Sequence, residues 1–385
     1  MWPFSRSVLS PEDQAAAEEV ERLTNAWERA CLGAGLIRRI ETVSGPTLIP
    51  PRVTFVNLGP PDRLTVRLEP GMVADDLRSL APRLAPHLGA YGLRIEPRGR
   101  GEWCIVTLLY DDPLDGVLSL PEGPLSGPVL IGTDEQGQDV TADPADLGHI
   151  AVQGATGSGK SAFLYALLSQ LTDREHVEIT GVDPSGILLR PLAEPRSSEH
   201  HSVSAPRPFH RSGPLLGLSD PEIIADYTHR LVEDMDQRVR RIPRDRDSLP
   251  ESEGLRFLVF EEYPGLLRYL DAADIKIGKR VRAYVARLLA EGRKAGIRVI
   301  LVAQRAEASV IGSTERGQCS TRVSFRVDNI DAVRLLHPDA DPDTAAAHAS
   351  AVPGVALVSS PGRPLTRVRS PWIGGYSEYV RRVAA

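Results

Sequence analysis

Long apolar runs are missing from this chain of 385 residues. None approaches the roughly 20 consecutive apolar residues that a membrane-spanning helix requires. Runs such as 257–260 and 299–303 have the length of buried strands. The opening residues Met1–Arg6 lead into an acidic helical stretch, which is not the pattern of a signal peptide. Cysteine is equally scarce. Cys31, Cys104 and Cys319 are odd in number, far apart and without CxxC spacing, so they read as free core thiols rather than a disulfide framework or a zinc site. A cytoplasmic location follows. Lysine occurs only at Lys160, Lys276, Lys279 and Lys294 among 45 basic residues, a bias that coding composition explains. The net charge of −6 excludes a generally basic coat for nucleic acid, so any such contact must be local.

What is present is ordinary for a globular protein: 42% hydrophobic and 25% charged residues, on a chain long enough for one sizeable α/β domain and a smaller one. The pattern divides into residues 1–45, 46–112 and 113–385. Ser10 is placed as an N-cap, Pro11 as the first helical residue, and Glu12 and Asp13 in the first turn of a helix running to about residue 32. Gly33 and Gly35 stop it, and the proline-bearing stretch 46–51 reads as a linker. Strands at 53–56, 64–68, 93–95 and 103–108, with a helix over about 73–88, make a small α+β module of packing or docking character. From residue 113 onward strands alternate with helices, the signature of a largely parallel sheet. A hairpin over 129–142 precedes the first buried strand, at 149–152.

That strand runs into Gly154-Ala155-Thr156-Gly157-Ser158-Gly159-Lys160-Ser161, a complete P-loop. Small residues let the backbone wrap a phosphate, and the following helix adds the positive end of its dipole. Lys160 is placed on the β- and γ-phosphates of ATP, and Ser161 on Mg²⁺. The spacing of Phe163, Leu164, Leu167, Leu168 and Leu171 supplies the required helix.

Hydrolysis also needs an acid on the magnesium side and an activator for water. The apolar run 257–260 ends in Glu261 and Glu262. Strand ends at the carboxyl edge of such a sheet face the ligand crevice. Consecutive strand residues point opposite ways, which gives Glu261 to Mg²⁺ and Glu262 to the attacking water. The plainer reading is a pair of solvated acids. A further strand, 298–303, ends at Gln304, which can report the γ-phosphate or simply be solvated; another ends in the turn Asp183-Pro184-Ser185-Gly186.

In this order the hairpin and P-loop, the Val-Asp-Pro turn, the acid pair, and the run from Gly292-Arg293-Lys294-Ala295-Gly296 to Ala303-Gln304-Arg305 resemble the FtsK/SpoIIIE family of DNA translocases. Residues 231–238, 320–327 and 353–357 are similar to further family elements, so that the likeness covers about 130–377. In size and in its small module the chain is most similar to the transfer (Tra) proteins of actinobacterial conjugative plasmids. The resemblance implies a RecA-like P-loop core assembled as a homohexamer around double-stranded DNA, with ATP between neighbours. It places Arg293 as the arginine finger; by composition alone Arg293 is one of many arginines on a basic helix. The basic stretch from Lys276 to Arg305, with Glu291 as its one acid, either lines a DNA channel or forms a solvated face. The resemblance sends the loop 306–318, carrying Arg316, into the pore.

The departures bear on function. Glutamate stands at 261 where the family has aspartate, and Ser185 where it has lysine. His200, His201 and His210 lie in a Pro-, Ser- and His-rich stretch, 196–212, without acid or Cys partners at ligand spacing, and read as surface histidines. The family's membrane helices and C-terminal winged helix have no counterpart here, so a membrane-associated partner protein would make any link to a membrane. Two rival readings use the same core: a protein-secretion ATPase of the type VII class, and a weakly active nucleotide-dependent assembly factor.

Overall fold

The computed structural model describes residues 10–43, 45–123, 125, 127–193, 213–304 and 312–384. Two compact units emerge: residues 1–115 with 135–138, and residues 116–134 with 139–385.

In the first unit the helix Pro11–Ala34 begins as the sequence dictates. The Ser10 hydroxyl accepts the Asp13 N–H at 3.1 Å. It ends at Gly35 in the left-handed conformation, slightly later than Gly33 suggested. The stretch expected as a linker is ordered: Gly45–Ile49 pairs antiparallel with Arg38–Thr42. A two-stranded ribbon is all edge, so Pro46 sits where no ladder donor is required. Beyond it a four-stranded antiparallel sheet runs in the order Arg52–Asn57, Arg63–Arg67, Trp103–Leu109, Gly92–Arg98. Its inner face, including Leu64, Val66, Ile95 and Val106, packs on Leu23, Trp27, Leu77 and Leu84 of two helices.

The second unit is built on a ten-stranded sheet. Six neighbours are parallel: Leu215–Leu216, Val177–Asp183, Leu255–Phe260, Ile297–Ala303, Ile150–Gln153 and Thr321–Ser324. Four antiparallel strands, Val355–Ser360, Arg363–Arg369, Val129–Asp134 and Asp139–Ala142, extend it. The central strands are apolar on both faces because helices cover both. Phe257, Val259, Ile300 and Val302 join the core beneath helix Lys160–Thr172. Their alternates Leu258, Phe260, Val299 and Leu301 join the core of helices Pro221–Arg240, Tyr263–Ala273 and Ile275–Glu291. This is the α/β architecture expected, with the mainly parallel sheet placing its strand ends along one crevice. No helix among the described residues is long and apolar enough to cross a membrane.

Candidate functional site

The P-loop crosses the carboxyl edge of the sheet between Gln153 and helix Lys160–Thr172. Two hydrogen bonds hold its base: the Ala155 N–H donates to Arg326 O at 2.8 Å, and the Gly354 N–H donates to Ser158 O at 2.9 Å. Gly159 must be glycine twice over. Its φ is 107°, and a Cβ there would meet Gly354 N at 2.7 Å. The late glycine turn read in the sequence is thus the abutment of the phosphate loop.

Lys160 is largely buried beneath this arch. Its ammonium donates to Ala303 O at 3.2 Å and lies 3.7 Å from the Glu262 carboxylate. Burial lowers its pKa, and the charges of Glu262 and Glu261 work against that shift. The acids do not sit on the strand as expected. Leu255–Phe260 stops before them, and Glu262 is the N-cap of helix Tyr263–Ala273. It has φ 45° and ψ 45°, and among the described residues it is the one non-glycine with positive φ. That conformation costs roughly 1–2 kcal/mol and recurs where function holds a side chain in place. The left-handed turn, rather than strand alternation, separates the two acids while leaving both in one cavity.

That cavity, about 610 Å³, gathers the P-loop residues Thr156, Gly157 and Lys160 with Ser161, both acids and Gln304. A second space of about 370 Å³ shares Glu262 and Gln304 with it and is lined further by Pro264, Arg268 and Asp328. Sequence reasoning missed the opposite wall. Trp372, 45% exposed, and Val117, 67% exposed, stand there beside Arg369 and Pro371. Arg369 donates to Pro353 O at 2.7 Å and so braces the glycine turn.

Glu261 is strongly perturbed by its surroundings. Burial, with Asp183 and Glu262 close by, raises its carboxyl to about 7. Asp183 is itself fixed, accepting the Gly186 N–H at 3.0 Å, the Leu189 N–H at 2.9 Å and the Ser185 hydroxyl at 2.7 Å. The Glu261 and Glu262 carboxylates and the Ser161 hydroxyl share this cavity, and such oxygens fit a hard divalent cation. No cluster of three or more His, Cys, Asp or Glu able to hold a metal occurs among the described residues. Mg²⁺ needs none, since it is held by one or two protein oxygens plus phosphates and water. Because the folded pKa of Glu261 exceeds its unfolded value, the stabilisation it gives is present at low pH and is lost as pH rises through about 7. Glu261→Gln therefore stabilises the nucleotide-free protein at pH 8 by about 2 kcal/mol, seen as a higher melting temperature. The gain shrinks towards nothing near pH 4.5. Thermal denaturation at the two pH values checks this; equal shifts at both would contradict it.

Arg293 lies on the short turn Gly292–Ala295, just before strand Ile297–Ala303. Its carbonyl accepts the Gly296 N–H at 3.1 Å and an Arg298 guanidinium N–H at 3.2 Å, and Arg238 holds the same turn by donating to Ala295 O at 2.6 Å. The side chain is exposed and makes no hydrogen bond or ion pair among the described residues. Seven strand residues separate this turn from the sheet edge that carries Lys160, a span of about 20 Å. Arg293 cannot serve the phosphates of its own chain.

The basic stretch loses much of its free charge. Arg280 pairs with Glu222, Arg282 with Asp271, and Arg287 with both Asp236 and Glu291. Arg298 is buried, donating to the carbonyls of Leu147 and Ala145. Lys276, Lys279, Arg293 and Lys294 remain exposed. Arg305 and the loop 306–311 lie outside the described residues, as do His200, His201 and His210. Arg316 falls on the short helix Ser313–Gln318.

Residues 122–246 match the model of the FtsK/SpoIIIE family. Two similar curated proteins are DNA translocases FtsK. That of Rickettsia typhi is 26% identical over 290 residues, 69% of this chain and 38% of the relative. That of Shewanella oneidensis is 26% identical over 306 residues, 71% of this chain and 33% of the relative. The chain thus spans little more than a third of the length of these relatives. Among solved structures, the pCW3 conjugation coupling protein TcpA with ATPγS is similar at TM-score 0.55 and 16% identity, covering 94% of this chain and 99% of that one. ATPases 2 and 3 of EssC from Geobacillus thermodenitrificans are similar at TM-score 0.53 and 17% identity, over 71% of this chain and 50% of that one. These two likenesses show the P-loop ATPase fold.

Proposed function

Because the chain carries an FtsK/SpoIIIE-family domain, we propose that it is an ATPase that moves double-stranded DNA through a homohexameric ring, in plasmid transfer or chromosome handling. One observation supports the reading: Lys160 and Glu262 meet at 3.7 Å in the P-loop cavity, while the exposed Arg293 stands at the opposite sheet edge, away from the nucleotide site of its own chain.

The cavity suits ATP in each part. Backbone N–H groups of the loop and the first turn of helix Lys160–Thr172 take the phosphates. Trp372 and Val117 offer an apolar shelf for the base. Ser161 and Glu261 would hold Mg²⁺, which when bound neutralises charge between the β- and γ-phosphates. Lys160 exchanges its bond to Ala303 O for a phosphate oxygen. Glu262, released from that ammonium, accepts a proton from water, and Gln304 orients the same water or the γ-phosphate. Arg293 of a neighbour stabilises the charge that builds on the transferred phosphoryl group.

Exposed Lys276, Lys279 and Lys294 are the candidates from the basic stretch for contact with DNA phosphates, which they would hold without reading sequence. A membrane-associated partner remains part of the proposal for how such a motor reaches its place of work. ATP turnover measured with and without linear duplex DNA tests the reading. Severalfold stimulation by duplex is the expected result. A protein-secretion motor on the same fold would turn over ATP with no response to DNA, and that outcome would overturn the proposal.

A further inference from the structure

The outer face of the four-stranded sheet in the first unit has a composition that packing does not explain. Cross-strand pairing sets out its rows. Arg52, Arg67, Trp103 and Arg98 lie side by side in one, and Phe55, Thr65, Ile105 and Glu96 in the next. The following row contains Arg63, and there Arg94 donates to Gly137 O at 3.2 Å, so this end is partly covered. In the first two rows Arg52, Arg67 and Arg98 are exposed and Phe55 is 63% exposed, while Thr65, Trp103 and Ile105 are half-buried.

Arg52, Arg63, Arg67 and Arg98 make no ion pair among the described residues. Glu96, the one acid within the rows, is 3.5 Å from Arg94 and is occupied there. The Arg67 guanidinium stands over the Trp103 ring, 5.8 Å from its centre. Exposed Arg280 and Arg287 of the second unit find carboxylates. Here four are left without them, around two aromatic rings and an isoleucine, on a chain of net charge −6.

We propose that this sheet face binds single-stranded nucleic acid. The arginines are complementary to a phosphate backbone, and Trp103, Phe55 and the guanidinium planes offer stacking surfaces for unpaired bases. A duplex keeps its base faces inside the stack, so it would use the charges and leave the rings idle. The surface is distinct from the P-loop cavity, and no residue belongs to both.

The test uses the full chain without nucleotide and a short fluorescein-labelled oligothymidylate, read by anisotropy across a salt series. The double variant Arg67→Ser/Arg98→Ser is expected to lower the salt slope by about 1.4, that is about 0.7 for each phosphate no longer neutralised. Trp103→Ala is expected to weaken binding about tenfold at constant slope, with Trp103→Phe recovering most of it. Should Trp103→Ala disturb folding, Phe55→Ala takes its place, since that ring is exposed. Unchanged binding in the arginine and aromatic variants would overturn the proposal. So would equal affinity for a duplex of the same length with the same dependence on those side chains, or binding to phosphatidylglycerol vesicles without binding to the oligonucleotide. Lys160→Ala separates this result from the motor reading, because it should abolish ATP turnover and leave oligothymidylate binding intact.

Discussion

Glu262→Gln is expected to bind ATP as tightly as the parent chain and to turn it over at least a hundredfold more slowly. The amide fills the same space, but it accepts no proton from water, and a well-placed general base contributes roughly 10²–10⁴ in rate. The structure gives this residue an unusual setting. It caps helix Tyr263–Ala273 in a left-handed conformation that a side chain rarely adopts, and it rests 3.7 Å from the Lys160 ammonium. A merely solvated acid would have no reason to hold that conformation. The change leaves the turn and the cavity walls in place, so the defect should appear in turnover with little change in KM for ATP. Equilibrium binding of a fluorescent ATP analogue, beside steady-state phosphate release, separates the two effects. Full turnover in this variant would remove Glu262 from the role of base.

Arg293→Ala is expected to reduce turnover by about a thousandfold, as loss of an arginine finger does. The reasoning starts from position. Arg293 is exposed, without a side-chain partner among the described residues, on a turn fixed by Arg238 and Arg298. Removing it breaks no packing, so the melting temperature should not move beyond the roughly 0.5 kcal/mol typical of surface changes. A large loss of activity with no loss of stability would mean that the guanidinium acts on something outside its own chain. Arg282→Ala is a useful contrast, because its bidentate pair with Asp271 ties two helices and its removal should appear in stability first.

The parts of this site that were legible in the sequence are those whose chemistry is local. A phosphate loop must be written in consecutive small residues, so Gly154–Ser161 could be read directly, and the apolar strand before it confirmed the setting. The helix Pro11–Ala34 announced its start through Ser10 and Pro11 for the same reason. What could not be read depends on contacts distant in sequence. The run from Lys276 to Arg305 looked like free positive charge because Glu222, Asp271 and Asp236 come from other helices or from earlier in the chain. The wall formed by Trp372 and Val117 arises where strand Pro371–Trp372 pairs with Leu118–Ser119, and no periodicity announces such a pairing. Glu261 and Glu262 were read as strand residues, and alternation along a strand was the wrong reason for setting the two apart. Phe260 ends the strand and the left-handed turn does the work. The proline stretch 46–51 was misjudged because proline signals a break in a sheet interior but not in an isolated ribbon.

Each nucleotide site, on this account, takes Glu262 from one copy and Arg293 from the next. Equimolar mixing of Glu262→Gln with Arg293→Ala chains, each nearly inactive alone, tests that arrangement most directly through duplex-stimulated phosphate release. Random assembly makes about one site in four complete, with base and arginine both present, so recovery towards about a quarter of the parent activity is predicted. A mixture no more active than its components would show that the two residues do not meet across copies, and the shared-site motor would have to be abandoned.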